Sequence, residues 1–298
     1  MEYDLWVVIP TYNRVDDLLD CLHSLIKTGI NEDRVIVVDN HSQDDTAQKL
    51  ASKFPEVNLI ALEENFGAAK ASNLGFEVAL QKGAELVLRL DSDTVVDSEF
   101  CLRLLGKVGQ YPDVGVFSPK IYFYEPSDEI WFAGANQHRW HFGATQDHRY
   151  EKDAYNNSQV REIDYVWGAA MLIKREVLQK TGGFDTDFFI YYEEVDFCLR
   201  VKELGYKLLL IPDSYVWHKV GSAVNNARTA FHWNRSKILL FRKHARNRFH
   251  LVFLFTYSFF YTLYSWILRN NSGNRGPIKD ALTGLHNGMF FNISKRKR

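Results

Sequence analysis

The sequence predicts an α/β domain on a mostly parallel, doubly wound, Rossmann-like sheet flanked by helices. Three observations carry that expectation. Four apolar runs of strand length recur within roughly the first ninety residues, helical periodicity fills the intervals, and the connections are only a few residues long. This alternation is the signature of βαβ units with right-handed crossovers.

Leu5 to Ile9 is apolar at every position, as in a strand buried on both faces, and Pro10 is expected to end it. Leu18, Leu19, Leu22, Leu25 and Ile26 mark a helix over Asp16 to Lys27, which Gly29 stops. Val35 to Val38 is the second strand and closes on Asp39 and Asn40. A helix from Asp45 to Phe54, a strand from Val57 to Leu62, a helix from Ala68 to Gln81 and a strand from Leu86 to Leu90 complete the half-domain. Ligands of such sheets bind beyond the carboxyl ends of the strands. There this chain places Thr11-Tyr12-Asn13, Asp39-Asn40, Glu64-Asn65 and Asp91-Ser92-Asp93. The last run is interrupted only by Arg89, and an extended chain aims Asp91 and Asp93 the same way, so the two carboxylates can share a cation. A strand followed by an Asp/Ser turn is the alternative reading of these residues.

Beyond Pro112 the pattern loosens. Val114 to Phe117 and Ile121 to Tyr124 are expected as strands. Trp131 to Tyr155 has no periodicity but gathers His138, His141 and His148 among aromatic residues, which suits an acceptor-side loop or a surface excursion packed by its own rings. Tyr165 to Ile173 reads as a strand, and the small residues at 168 to 170 let backbone approach a ligand or another chain segment closely, with Trp167 and Gly168 as candidate binding residues. Arg175 to Lys180 is a short helix. Glu193 and Glu194 stand just behind an aromatic run, where partial burial raises a carboxylate towards the pKa of a useful base, whereas Asp196 and Arg200 form an ordinary i,i+4 helix pair. Lys207 to Ile211 is a late strand ended by Pro212. His218 ends a further apolar segment, where an isolated histidine is more often a hydrogen-bonded core residue than a ligand.

Lys and Arg number 36 against 37 Asp and Glu, a formal charge of -1, which speaks against a nucleic-acid partner. The last quarter is nevertheless basic, with Arg242, Lys243, Arg246, Arg248, Arg269, Arg275, Lys279 and the terminal Lys295-Arg296-Lys297-Arg298, which suits contact with anionic lipid. Phe249 to Leu268 carries no charged residue and as a helix is about 30 Å long, enough to cross a bilayer. Its tyrosines, serines and basic flanks favour an interfacial or re-entrant helix over a span, with an oligomerisation surface as the third reading. Cys21, Cys101 and Cys198 have no metal spacing and read as buried thiols. No basic leader or cleavage site follows Met1, so the expected location is cytoplasmic, peripheral or monotopic at the cytoplasmic face of the cell membrane.

Val7-Val8-Ile9-Pro10-Thr11-Tyr12-Asn13-Arg14, Val37-Val38-Asp39-Asn40, Asn65-Phe66-Gly67 with Asn73 and Gly75, Asp91-Ser92-Asp93, Gly182-Gly183-Phe184-Asp185 and Tyr192-Glu193-Glu194-Val195-Asp196 with Arg200 occur in this order. Together they resemble the motifs of the family 2 glycosyltransferases with a GT-A fold, in particular the rhamnosyltransferase-like branch that builds bacterial and archaeal surface polysaccharides. The resemblance covers about residues 3 to 240, and six ordered motifs are far more specific than one. It implies that Pro10, Thr11, Tyr12 and Asp39 hold the nucleotide, with Asn65 and Lys70 completing its edge and Asn13, Asp91, Ser92, Trp167 and Gly168 beside it. It further implies that Asp93, with Asp91 and the late His218, ligates Mn²⁺ or Mg²⁺ on the donor diphosphate. The family's usual Glu-Asp pair is Glu193-Glu194 here, which makes Glu194 the candidate base and Glu193 the second choice.

The implied activity is inverting, metal-dependent transfer from dTDP-rhamnose or a UDP-sugar to a lipid-linked or cell-surface glycan. The implied division is a transferase domain over 1–240, with a nucleotide half to 110 and an acceptor half from 111, followed by a membrane-associating region over 241–298 that can also support homo-oligomers. A sugar-nucleotide nucleotidyltransferase is the alternative enzyme, although the loop after the first strand lacks the glycines that fold needs. A non-catalytic scaffold at the membrane is the alternative outside catalysis.

Overall fold

The computed structural model describes residues 3–138, 140–153, 159–219, 227–271 and 277–293. The opening half alternates as expected: β1 (Leu5–Thr11), α1 (Val15–Ile26), β2 (Val35–Asp39), α2 (Thr46–Lys53), β3 (Asn58–Ala61), α3 (Gly67–Gln81) and β4 (Leu86–Leu90). β5 (Thr94–Val96), α4 (Phe100–Leu105), β6 (Val114–Phe123), β7 (Ile130–Phe132), β8 (Ala135–Gln137), β9 (Ala144–Gln146) and β10 (Arg161–Glu162) lead to β11 (Ala170–Lys174) and α5 (Arg175–Thr181). α6 (Glu193–Glu203), β12 (Lys207–His218), α7 (Ala227–His244), α8 (Arg248–Asn271) and α9 (Ile278–Phe290) complete the described chain.

One sheet carries the molecule in the order β10-β12-β6-β11-β4-β1-β2-β3, with β5 on β12 and β7 on β6. β3, β2, β1 and β4 run parallel, β11 is antiparallel between β4 and β6, and β6 and β12 run parallel to each other. β1, β2 and β4 bury every residue or nearly so, as continuous apolar runs between two helical layers must. Arg89 is a buried charge in the middle of β4, whereas Asp39 ends β2.

Proline punctuation misleads in two places. β1 continues through Pro10 to Thr11, because pairing with β4 stops at Val8↔Arg89 and no ladder partner on that side needs the missing N–H. β12 runs through Pro212, which falls in a register shift between Ile211 and Tyr215 where no regular ladder donor is called for. The two strands expected between Val114 and Tyr124 are the single β6. Of the stretch from Tyr165 to Ile173 only the part from Ala170 is strand, because the backbone before it serves the β4 loop: Ala169 accepts from the Asp91 N–H at 2.9 Å and Gly168 accepts from Arg89. The aperiodic segment after Trp131 holds the β8–β9 hairpin.

The C-terminal helices pack on the sheet domain. Gly284 and Gly288 let α9 lie directly on α7: a Cβ at these positions would stand 2.2 Å from the Phe231 carbonyl and 2.7 Å from that of Arg235. Ile238, Phe241, Leu254 and Leu285 form a second small core there. Two of the basic residues expected to meet lipid are engaged inside the protein instead. Lys243 pairs with Asp185 and with Asp187 at 2.7 Å, and Arg242 donates to the Gly288 and Phe291 carbonyls. α8 buries a stripe of His250, Leu254 and Ser258 and exposes Phe249, Val252, Phe253, Phe260, Tyr264 and Ile267. The segment Arg248–Leu268 is long and apolar enough to cross a membrane. Cys21, Cys101 and Cys198 are buried and unbridged.

Candidate active site

Thr11 of β1 pairs in register with Asp39 of β2, so the loops after the two strands start side by side. Asn13, at a φ of 52°, braces them: its N–H donates to Ser42 Oγ at 2.8 Å and its Oδ1 accepts from the Gln43 N–H at 2.6 Å. Asp39 is buried and accepts from the Ser42 N–H at 3.0 Å, while the buried Thr11 hydroxyl has no partner among the described residues. Pro10 is half-buried and Tyr12 exposed. Asn40 ties in the third loop by accepting from the Phe66 N–H at 2.9 Å, and Asn65 Oδ1 accepts from the Gly67 N–H at 3.0 Å. Lys70 Nζ stands 3.4 Å from the centre of the Phe66 ring. Gly67 has a φ of +85°, and a Cβ there would lie 2.1 Å from the Phe189 carbonyl oxygen, to which the Ala68 N–H donates at 2.7 Å. The start of α3 therefore touches the segment that leads into α6.

Asp91, Ser92 and Asp93 follow β4. β5 then pairs with the end of β12 and sets Thr94 opposite His218, a residue more than a hundred positions away in sequence. Asp91, Asp93 and His218 each offer a ligand atom within 4.8 Å of the others. His218 Nε2 is 3.1 Å from Asp93 Oδ1 and 4.0 Å from Asp91 Oδ2. Two guanidinium groups hold the carboxylates from outside: Arg14 at 2.7 Å from Asp93 Oδ2 and Arg89 at 2.7 Å from Asp91 Oδ1. Burial disfavours the Asp93 anion, but the His218 hydrogen bond and the charges of His218 and Arg14 outweigh it and keep this carboxyl below its usual pKa. Burial likewise disfavours the charged imidazole, and the Asp93 contact reverses that, raising His218. Two carboxylates and an imidazole are a donor set suited to Mn²⁺ or Mg²⁺, so the residues present fit such an ion.

Glu193 and Glu194 open α6. The two preceding residues, Tyr191 and Tyr192, both adopt φ of 67°, a left-handed backbone that side chains of this size rarely take. Such strain marks sites where placement matters. Glu193 is buried and Glu194 half-buried, and each leaves Oε2 without a partner among the described residues. Burial, with repulsion from Glu194, pushes Glu193 up to about 8; burial pushes Glu194 up to about 7 against the pull of Arg89. A Cβ on Gly168 would meet Arg89 Nη1 at 3.5 Å and Glu194 Cβ at 3.8 Å, so Arg89 links the carboxylate pair after β4 to the one that opens α6. Trp131 closes the other side, 5.9 Å from the His218 ring and 5.6 Å from Trp167.

The structure thus brings residues 91, 93, 194 and 218 to one place, with Trp167 and Gly168 beside them. Sequence reasoning missed Arg89, Arg14, Trp131 and the twin left-handed tyrosines. Only Arg89 carried a signal, as the one charge in an apolar strand. His138 and His141 lie elsewhere: their rings are 4.7 Å apart, and His141 stacks on Tyr257 of α8 at 5.3 Å. His148 pairs with Glu151 at 2.8 Å.

The family model of glycosyl transferase family 2 matches residues 6–182, more than half of the chain. The chain is a family 2 glycosyltransferase. Among relatives of this glycosyltransferase, the dTDP-rhamnosyl transferase RfbF of Shigella flexneri is 29% identical over 232 residues, 74% of this chain and 71% of that one. The N-acetylglucosaminyl-diphospho-decaprenol L-rhamnosyltransferase of Mycobacterium tuberculosis is 24% identical over 263 residues, 80% of this chain and 84% of that one. The solved structure of the mannosyltransferase PcManGT from Pyrobaculum calidifontis in complex with GDP-Man and Mn²⁺ matches with a TM-score of 0.60 at 15% identity, over 97% of this chain and 87% of that one. That likeness shows the GT-A fold. This family 2 glycosyltransferase therefore takes its sugar from a nucleotide-sugar donor and delivers it to a glycan acceptor.

Proposed function

We propose that the chain is an inverting, metal-dependent transferase that moves rhamnose from dTDP-rhamnose, or a hexose from a UDP-sugar, to a hydroxyl of a lipid-linked glycan. The observation that carries this reading is the meeting of Asp91, Asp93 and His218 with Glu194 across Arg89 and Gly168. Pro10, Thr11, Tyr12, Asn13, Asp39, Asn65, Lys70 and Ser92 line the loops where the nucleotide lies. Asp91, Asp93 and His218 would hold Mn²⁺ or Mg²⁺, which when bound supplies positive charge to the leaving diphosphate. Glu194, or Glu193 in its place, accepts the proton of the attacking hydroxyl, a role suited to a carboxylate whose pKa lies near neutrality. Displacement from the face opposite the diphosphate inverts the anomeric centre.

The rhamnosyl choice rests on two rhamnosyltransferases among the relatives, one named for a diphospho-decaprenol acceptor. A lipid-linked acceptor also suits the exposed apolar face of α8, whose N-terminal flank offers the exposed Arg246 and Arg248 to an anionic membrane surface. In this reading residues 1–240 do the chemistry, and the region from 241 holds the enzyme at the cytoplasmic face.

Incubation with Mn²⁺, dTDP-rhamnose and a prenyl-diphosphate-linked sugar is expected to release nucleoside diphosphate. Folded Asp93→Ala and Glu194→Ala variants are expected to release none. Turnover by both variants at the wild-type rate would overturn the site assignment, and no turnover with dTDP- or UDP-sugars would leave the scaffold reading.

A further inference from the structure

α7 carries five Lys and Arg side chains; the exposed Arg228 lies near the Tyr12 and Phe189 rings, and three of the others are paired. Arg235 donates to Asn287 and to the Asp187 carbonyl, Arg242 to two carbonyls of the α9 end, and Lys243 pairs with two aspartates. Lys237 differs. The residue is half-buried and its ammonium forms no hydrogen bond or ion pair among the described residues; the centre of the Tyr261 ring is 5.9 Å away. Burial alone pushes its pKa down to about 8, with no anion opposing the shift. A half-buried cation without a counter-charge among the described residues is open to an anionic ligand, and a hydrogen bond to an ionised group is about twice as strong as a neutral one.

Its position says which ligand. Lys237 lies one helical turn after Trp233, whose ring is 4.9 Å from Tyr192, the residue directly before Glu193. The intervening Ser236 fastens α7 to this same segment by donating to the Ile190 carbonyl at 2.8 Å. On the other side is α8, where the Asn234–Thr262 bond fixes the seam and Tyr261 and Tyr257 stack along the helix. Ser258, on that seam, keeps a buried hydroxyl without a partner among the described residues. Lys237 thus stands between the candidate base and the apolar helix, the interval that an acceptor with a charged linkage between sugar and lipid must bridge.

We propose that Lys237 is the anion-binding residue of an acceptor subsite and takes the phosphate that joins a glycan to its prenyl chain, with Tyr261 beside it. The inference rests on the lipid-linked acceptor argued above. The test is binding, read without turnover: geranylgeranyl diphosphate in neutral detergent micelles, titrated by calorimetry against wild type, Lys237→Met and Lys237→Arg. Wild type and Lys237→Arg are expected to bind it and Lys237→Met to bind at least about tenfold more weakly. Uncharged geranylgeraniol should bind all three weakly and alike. Nucleotide binding, measured with dTDP and Mn²⁺ in the same proteins, should not change in Lys237→Met, and its loss in wild type would count against the donor site rather than this subsite.

Equal affinity of Lys237→Met and wild type for the diphosphate would overturn the proposal. So would inorganic pyrophosphate binding as tightly as the lipid, which would make this a free-anion site, or a Lys237-dependent affinity for phosphatidylglycerol vesicles, which would assign the residue to the bilayer. Should Lys237→Met not fold, the wild-type preference for geranylgeranyl diphosphate over geranylgeraniol still decides: equal binding of the two overturns it.

Discussion

Glu194 meets two opposed requirements. As the proposed base it must be ionised, yet its surroundings favour the neutral form and raise its pKa to about 7. The sign follows from linkage. A carboxyl whose pKa is higher in the folded than in the unfolded state contributes stability that is complete below the unfolded value, about 4.5, and is lost as pH rises through about 7. Glu194→Gln is therefore expected to melt higher than wild type at pH 8, by up to about 3 kcal/mol of stability, with the gap closing towards pH 5. The same variant should lose on the order of 10²–10⁴ in kcat, and wild-type kcat/KM should fall with unit slope below about pH 7. Differential scanning calorimetry and a pH–rate profile check both; a Glu194→Gln that melts lower at pH 8 would remove the strained-carboxylate argument. At this scale the residues of the candidate site were legible in sequence because their types and order are specific. Their supports were not: the left-handed Tyr191 and Tyr192 leave no mark on composition, and the reach of Arg89 to Asp91 and Gly168 depends on which strand lies beside β4.

The elements turn local chain rules into this arrangement, and where those rules compete the sheet prevails. Strand and helix alternation up to β4 was readable because each element has its own period and stop signal. Beyond it, β6 and β12 override their prolines, since a long parallel pairing with two irregularities keeps more hydrogen bonds than broken strands would. The antiparallel β11 was only partly legible, as an apolar run carries no sign of its direction. The junction of α3 with the α6 approach depends on one residue type. Gly67 combines a φ of +85° with a backbone contact that leaves no room for a side chain. Gly67→Ala is expected to destabilise by about 1–3 kcal/mol and to raise KM for the donor more than it lowers kcat, since it displaces the loop of Asn65 and Lys70. Urea unfolding and steady-state kinetics report the two effects, and an unchanged midpoint would show that Phe189 can retreat freely.

At the scale of the whole molecule, the sheet domain is followed by a helix, α8, that the rest of the described chain covers on one side only. The exposed residues of α8 recur at three- and four-residue intervals from Phe249 to Ile267, a single continuous face, with Arg246 and Arg248 exposed at its start. Such a face in water favours association with something apolar, and in the reading proposed above the adjacent positive charge directs it to an anionic lipid surface rather than to a second copy of the same basic helix. The face also belongs to the catalytic body: His141 of the aromatic loop stacks on Tyr257, and His250 Nε2 lies 2.7 Å from the Trp140 carbonyl oxygen, so docking α8 would orient that loop towards the bilayer. Burying a phenylalanine is worth about 1.5–3 kcal/mol. The double change Phe249→Glu with Phe260→Glu is therefore expected to weaken binding to phosphatidylglycerol-containing vesicles by on the order of a hundredfold or more, with dTDP binding unchanged. Wild-type binding should fall with added salt, because part of it is screened attraction. Vesicle co-sedimentation across a salt series checks both effects. A wild type that ignores vesicles yet elutes as a dimer, with the double variant monomeric, would assign the face to self-association instead.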